Sequence, residues 1–155
     1  DRSPSRGLGD VYKRQPLDQV VLMLGTNDCK TYNHASAERI GKGIEKLIQQ
    51  IRKADPAIDI LLVSPIELGE DVWKPGFDPE FDQHSVKVSK QLKQTYLNIA
   101  WKYGCDFLAA SDVAKPSKAD MEHMNEEGHK NLAGAIESFL VEKERNHSND
   151  YVNVV

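Results

Sequence analysis

The stretch Val20–Lys30, VVLMLGTNDCK, decides the fold. Five consecutive apolar residues, two of them β-branched, run straight into Gly25-Thr26-Asn27-Asp28. A short unbroken apolar run, rather than an in-out alternation, marks a strand covered on both faces, as in a parallel sheet. Val20–Leu24 is therefore expected to be such a strand. Two further runs have the same character: Asp59–Val63 (DILLV) and Asp106–Ala110 (DFLAA). Between the first two, Ala35–Ala54 sets Ile40, Ile44, Leu47, Ile48 and Ile51 on one helical stripe, stopped by Pro56. A second helix is expected over Ser85–Tyr103, with Val88, Leu92, Ile99 and Tyr103 on one face and Gly104 as its stop. A third starts near Asn125, a good N-cap, with Glu126 and Glu127 in the first turn and Leu132, Ile136, Phe139 and Leu140 facing inward.

The order β-α-β-loop-α-β-loop-α predicts an α/β fold, a parallel sheet between helices. In such sheets ligands bind beyond the carboxyl ends of the strands. Gly25–Asp28, Ser64–Glu67 and the residues from Ser111 all leave from that edge, which is why a greasy strand ends in a hydrogen-bonding tetrapeptide.

The chain has 155 residues, enough for one domain with a real core. It is 39% hydrophobic and 28% charged, an ordinary globular balance. A net charge of -4 gives no basic footprint, so no nucleic-acid partner is expected. No apolar run approaches the roughly 18 residues of a membrane span. Cys29 and Cys105 form no Cys-x-x-Cys pair, and two cysteines suit a reducing, cytoplasmic setting.

Residues 1–15, DRSPSRGLGDVYKRQ, have no initiator Met and no apolar periodicity, so they are set aside as a non-native leader. They resemble a sequencing adapter translated in frame at the end of a metagenomic reading frame. The domain is then 16–144, with 145–155 expected to fray.

Chemistry concentrates at two places. Asp120 and His123 sit three apart before the last helix. A carboxylate at that spacing can turn back onto its own imidazole, take the Nδ1 proton and leave Nε2 as a general base. Asn27, at a strand's carboxyl end, can donate a hydrogen bond to a developing oxyanion. The long connection Ser64–Ser85 holds three prolines, two glycines and the aromatics Trp73, Phe77 and Phe81. Aromatics in such a loop suggest a packed pocket wall, so these three are candidate substrate-pocket residues. His129 lies six residues beyond His123, a poor metal spacing, and is read as structural with His34, His84 and His147.

VVLMLGTND and DMEHMNEEGHKNLA resemble the third and fifth blocks of the SGNH/GDSL hydrolases, in their arylesterase-like branch, and ILLVSP resembles the strand before that family's lid. The resemblance spans Pro16–Leu140. It implies a flavodoxin-like three-layer α/β/α sandwich with its first strands missing here. It further implies a Ser-His-Asp carboxylic ester hydrolase acting on a small-molecule ester, with Asp120 and His123 as acid and base, Asn27 in the oxyanion hole, and no metal or cofactor. Two departures stand out. Met121-Glu122 replaces the usual Gly after the Asp, and the Gly-Asp-Ser block is absent, since Val11 follows Gly9-Asp10. Ser64, Ser111 and Ser117 lack the sharp Gly-flanked turn of a nucleophile, and Cys29 reads as a small buried thiol. The serine is therefore expected upstream of Pro16, leaving this chain inactive by itself. A sheet lacking those strands would expose Val20–Leu24 as an unpaired edge, which favours poor expression and self-association, a homo-oligomer included.

The alternative is a non-enzymatic receiver-type or binding domain of the same flavodoxin-like class. A receiver wants an Asp where the first strand ends and a Lys after the last; the chain has Gly25-Thr26-Asn27 and Ser111 there. Asp120 and His123 would have no role in it.

Overall fold

The computed structural model describes residues 17–150; the leader, Pro16 and residues 151–155 lie outside the described span. Three strands, β1 (Gln19–Leu22), β2 (Asp59–Ser64) and β3 (Asp106–Ala109), pair in parallel in the order β1-β2-β3. Val20 stands opposite Ile60 and Leu62 opposite Phe107. The helices are α1 (Ala37–Ala54), α2 (Gln83–Tyr103) and α3 (Glu126–Asp150).

The central strand explains the three layers. Ile60 and Leu62 point into one core with Ile44, Ile48 and Ile51 of α1 and Val88, Leu92 and Tyr96 of α2. Leu61 and Val63 point into a second core with Ala110, Ala114 and Leu132, against which Ile136 and Phe139 of α3 pack. Both faces of β2 are thus buried, as DILLV requires, each large apolar side chain contributing about 1.5–3 kcal/mol. On β1 the expectation holds for one face only. Val20 and Leu22 join the first core, but Val21 remains 41% exposed, because α3 packs over β2 and β3. Among the described residues the outer edge of β1 has no strand partner.

Local chemistry sets the helix ends. Ser36 caps α1 by accepting from the Arg39 N–H at 3.1 Å. Asp82 and Ser85 form a reciprocal capping box, which starts α2 two residues before the expected Ser85. Asn125 caps α3, its Oδ1 accepting from the Gly128 N–H at 2.8 Å. Helix α3 runs on past Glu144 to Asp150, through a stretch that contains neither Gly nor Pro. No helix among the described residues is long and apolar enough to cross a membrane.

Candidate active site

β1 ends at Leu22, two residues before the expected Leu24, and the chain leaves it through Gly25 (φ 137°) into a short 3₁₀ turn, Thr26–Cys29. The turn is locked from both sides. The Tyr96 hydroxyl donates to the Leu24 carbonyl at 2.6 Å, and the Asn33 side chain donates to the Asn27 carbonyl at 3.0 Å. The Asn27 carboxamide makes no hydrogen bond among the described residues, so it is not a turn residue bonding its own backbone. It lines a cleft.

The opposite wall comes from the segment between β3 and α3. Pro116 bridges to Met124, and the Ser117 N–H donates to the His123 carbonyl at 2.7 Å, closing a loop around Asp120. Asp120 Oδ1 accepts from the backbone N–H groups of Glu122 (3.0 Å) and His123 (2.9 Å) and from the Ser117 hydroxyl (3.3 Å). Its Oδ2 lies 2.8 Å from His123 Nδ1. A carboxylate only accepts, so Nδ1 carries the proton and Nε2 is left free as a base.

Partial desolvation would raise the Asp120 pKa, but the two backbone donors and the imidazole outweigh it and hold the group down at about 2. The hydrogen bond that His123 donates to Asp120 raises the His123 pKa above 6.5 against a weaker opposing desolvation, helped by the nearby Glu122, Asp120 and Asp78 charges. The His123 side chain is 72% exposed, so this pair contributes little to stability. What it provides is orientation.

Met121 explains how the turn forms without the family's Gly. Its φ of 62° lies in the left-handed region, at a cost of about 1–3 kcal/mol for a side-chain-bearing residue. The compensation comes from the loop after β2. The Gly69 N–H donates to the Met121 carbonyl at 2.7 Å, and a Cβ on Gly69 would stand 2.8 Å from Met121 Cβ and 3.2 Å from its Cα. Gly69→Ala is therefore expected to destabilise the protein by about 1–3 kcal/mol. It should also loosen the Asp120–His123 pair, read as a fall in the His123 pKa by NMR titration. An unchanged titration would show that the turn holds itself.

Asn27 and His123 line one cleft of about 190 Å³, together with Met23, Thr26, Pro65, Ile66, Glu122, Met124 and His129. The fold thus brings together side chains 96 residues apart in sequence. The aromatic loop residues go elsewhere. Phe81 is 2% exposed in the first core, held there as α2 begins. Trp73 lines a separate depression with Glu70 and Lys87, its indole N–H donating to the Glu70 carbonyl at 2.8 Å. Phe77 is half-buried and lines neither. None of the three candidate pocket residues lines the cleft that holds Asn27 and His123. That cleft is lined by Glu122, next to His123 in sequence, and by His129, for which the sequence suggests only a structural role.

The alternative nucleophiles are also placed. Ser64 is the last residue of β2, fully buried on the Ile60–Leu62 face. Ser111 lines a different depression, and Ser117 is spent on Asp120. Burial, with the Asp28 charge adding to it, pushes the Cys29 thiol up to about 12, which leaves no thiolate near neutrality. Among the described residues no three His, Cys, Asp or Glu side chains converge on a metal position.

A model of the GDSL-like lipase/acylhydrolase family matches residues 2–131, which include most of the leader. The chain belongs to this family. Solved esterase structures agree with the fold. The native M. smegmatis aryl esterase aligns at a TM-score of 0.79 and 26% identity over 86% of this chain and 65% of its own. Est24, a carbohydrate acetylesterase from Sinorhizobium meliloti, aligns at 0.76 and 30% identity over 86% of this chain and 64% of its own. The chain therefore spans a little under two thirds of each of these neighbours. No curated protein matches it.

Proposed function

We propose that this chain supplies the base, the orienting acid and an oxyanion donor of a serine ester hydrolase acting on small-molecule esters. The observation that carries the reading is the Asp120 carboxylate on His123 Nδ1, in a turn whose imidazole lines the same cleft as the unengaged Asn27 carboxamide. The nucleophile is a serine contributed by residues outside the described span, since Thr26 is the one hydroxyl-bearing residue lining this cleft.

In the proposed reaction, His123 Nε2 removes the serine hydroxyl proton as the oxygen attacks the ester carbonyl. The carbonyl oxygen takes the negative charge and accepts from the Asn27 amide. The imidazolium, stabilised by Asp120, then gives its proton to the departing alcohol, leaving an acyl-serine. Water, deprotonated by His123, attacks that acyl group, and the serine recovers its proton as the carboxylic acid leaves. A cleft this small favours a short acyl group, in keeping with the acetylesterase among the neighbours. No step calls for a metal or cofactor.

Hydrolysis of p-nitrophenyl acetate tests the assignment. In the serine-bearing protein Asn27→Ala is expected to lower kcat by about 10²–10³. The present chain alone is expected to turn over little or none. Turnover by this chain that disappears in His123→Ala would place the nucleophile within it. A Gly-Asp-Ser after a hydrophobic strand in the coding sequence upstream of Pro16 would support the class, and its absence would count against it.

A further inference from the structure

Glu122 has no part in the proposed chemistry, yet it stands beside it. Its side chain is 12% exposed, it lines the Asn27–His123 cleft, and Oε1 lies 3.9 Å from His123 Nε2. Its carboxylate makes no hydrogen bond among the described residues, while its backbone N–H is held by Asp120. Lys30, whose positive charge also acts on it, is already paired with Glu80 at 2.6 Å. Asp78 adds a further negative charge close enough to act on both Glu122 and His123. While His123 is neutral, this corner of the cleft therefore carries a net negative field and a free acceptor.

We propose that Glu122 selects the alcohol half of the substrate, accepting alcohols that carry a cation or a hydroxyl donor beside the ester oxygen and rejecting anionic ones. The inference rests on the reading of His123 as the acid that protonates the leaving alcohol. Nε2 is the atom that delivers this proton, so a carboxylate 3.9 Å from it flanks the alcohol rather than the acyl group. A hydroxyl or ammonium there would supply the donor that Glu122 lacks, whereas an anion would meet a like charge in a partly desolvated site.

The test needs no turnover. On the full chain at pH 8, the His123 imidazole Hε1 resonance, assigned by its loss in His123→Ala, is followed by NMR during additions of ethanolamine, glycerol and glycolate. These are small alcohols of opposite or no charge. Ethanolamine and glycerol are expected to bind about tenfold or more tightly than glycolate. Glu122→Gln should bring the ethanolamine-to-glycolate ratio close to one. Glu122→Asp, which keeps the charge, should preserve the ranking and covers the case in which the Gln variant does not fold. Glycolate binding as well as ethanolamine, a ranking that survives Glu122→Gln, or no response to any of the three would overturn the proposal. Absence of ester hydrolysis would instead sink the proposed reaction, a separate result from the binding ranking.

Discussion

Asp120→Asn is expected to lower kcat for ester hydrolysis by about 10³–10⁴ in the serine-bearing protein, with little change in fold. The Asn carbonyl can still accept from the Glu122 and His123 backbone N–H groups that Asp120 Oδ1 now serves at 3.0 and 2.9 Å. The loss comes from the other oxygen. An amide nitrogen at the Oδ2 position donates to Nδ1, which moves the imidazole proton to Nε2, the atom that takes the serine proton in the proposed reaction. The same change removes the carboxylate whose hydrogen bond leads the upward shift of His123. General-base catalysis needs neutral imidazole, so the acid limb of kcat/KM should lie above the ordinary histidine value in the parent and move to lower pH in the variant.

Stability should respond in two windows. The raised His123 contributes stability below 6.5 that is lost as pH rises through its folded pKa. The lowered Asp120 contributes stability above the usual aspartate value that is lost as pH falls toward about 2. Both dependences should flatten in Asp120→Asn, by small amounts because the pair is exposed. NMR titration of His123 in this chain gives the same shift without activity. A histidine that titrates identically with and without the carboxylate would count against the assigned role.

The parts of this site that sequence can reveal are those made by near neighbours. Asp120 and His123 find each other across three residues, and their pairing follows from a turn. The two-sided burial of Ile60–Val63 is equally legible, because successive side chains of a strand point to opposite faces and an unbroken apolar run therefore needs cover on both. The positions of Phe81 and Met121 depend instead on distant partners. Phe81 lies in a long loop, which suggests pocket lining, yet that loop delivers it into the α1–α2 core just before the Asp82 cap. Trp73 is turned away by a local bond to the Glu70 carbonyl. Met121 departs from the family's Gly, and its left-handed backbone leaves room for a side chain only because Gly69, 52 residues earlier, has none. Glu122 and His129 carry no spacing signal; only the closure of the cleft brings them in.

Gly25→Ala is expected to be the most disruptive single-methyl change in the chain, costing about 2–6 kcal/mol. Two independent penalties combine. The backbone there has φ 137°, which L side chains rarely adopt, and a Cβ would stand 2.2 Å from the Tyr96 hydroxyl, 3.3 Å from Cζ and 3.5 Å from Leu92 Cδ1. Tyr96 cannot swing aside, because it is fully buried and its hydroxyl is committed to the Leu24 carbonyl. The strand end must therefore move, carrying with it the Thr26–Cys29 turn that presents Asn27. Tyr96→Phe alone should cost about 1 kcal/mol by leaving that carbonyl without its donor. Combined with Gly25→Ala it should recover part of the larger loss, since the atom nearest the new methyl is gone. The cycle, measured by urea denaturation, then yields a favourable coupling of about 1 kcal/mol or more. Strict additivity would mean that the penalty at Gly25 is conformational alone. A Gly25→Ala midpoint matching the parent would mean that the strand end is not held against Tyr96 at all.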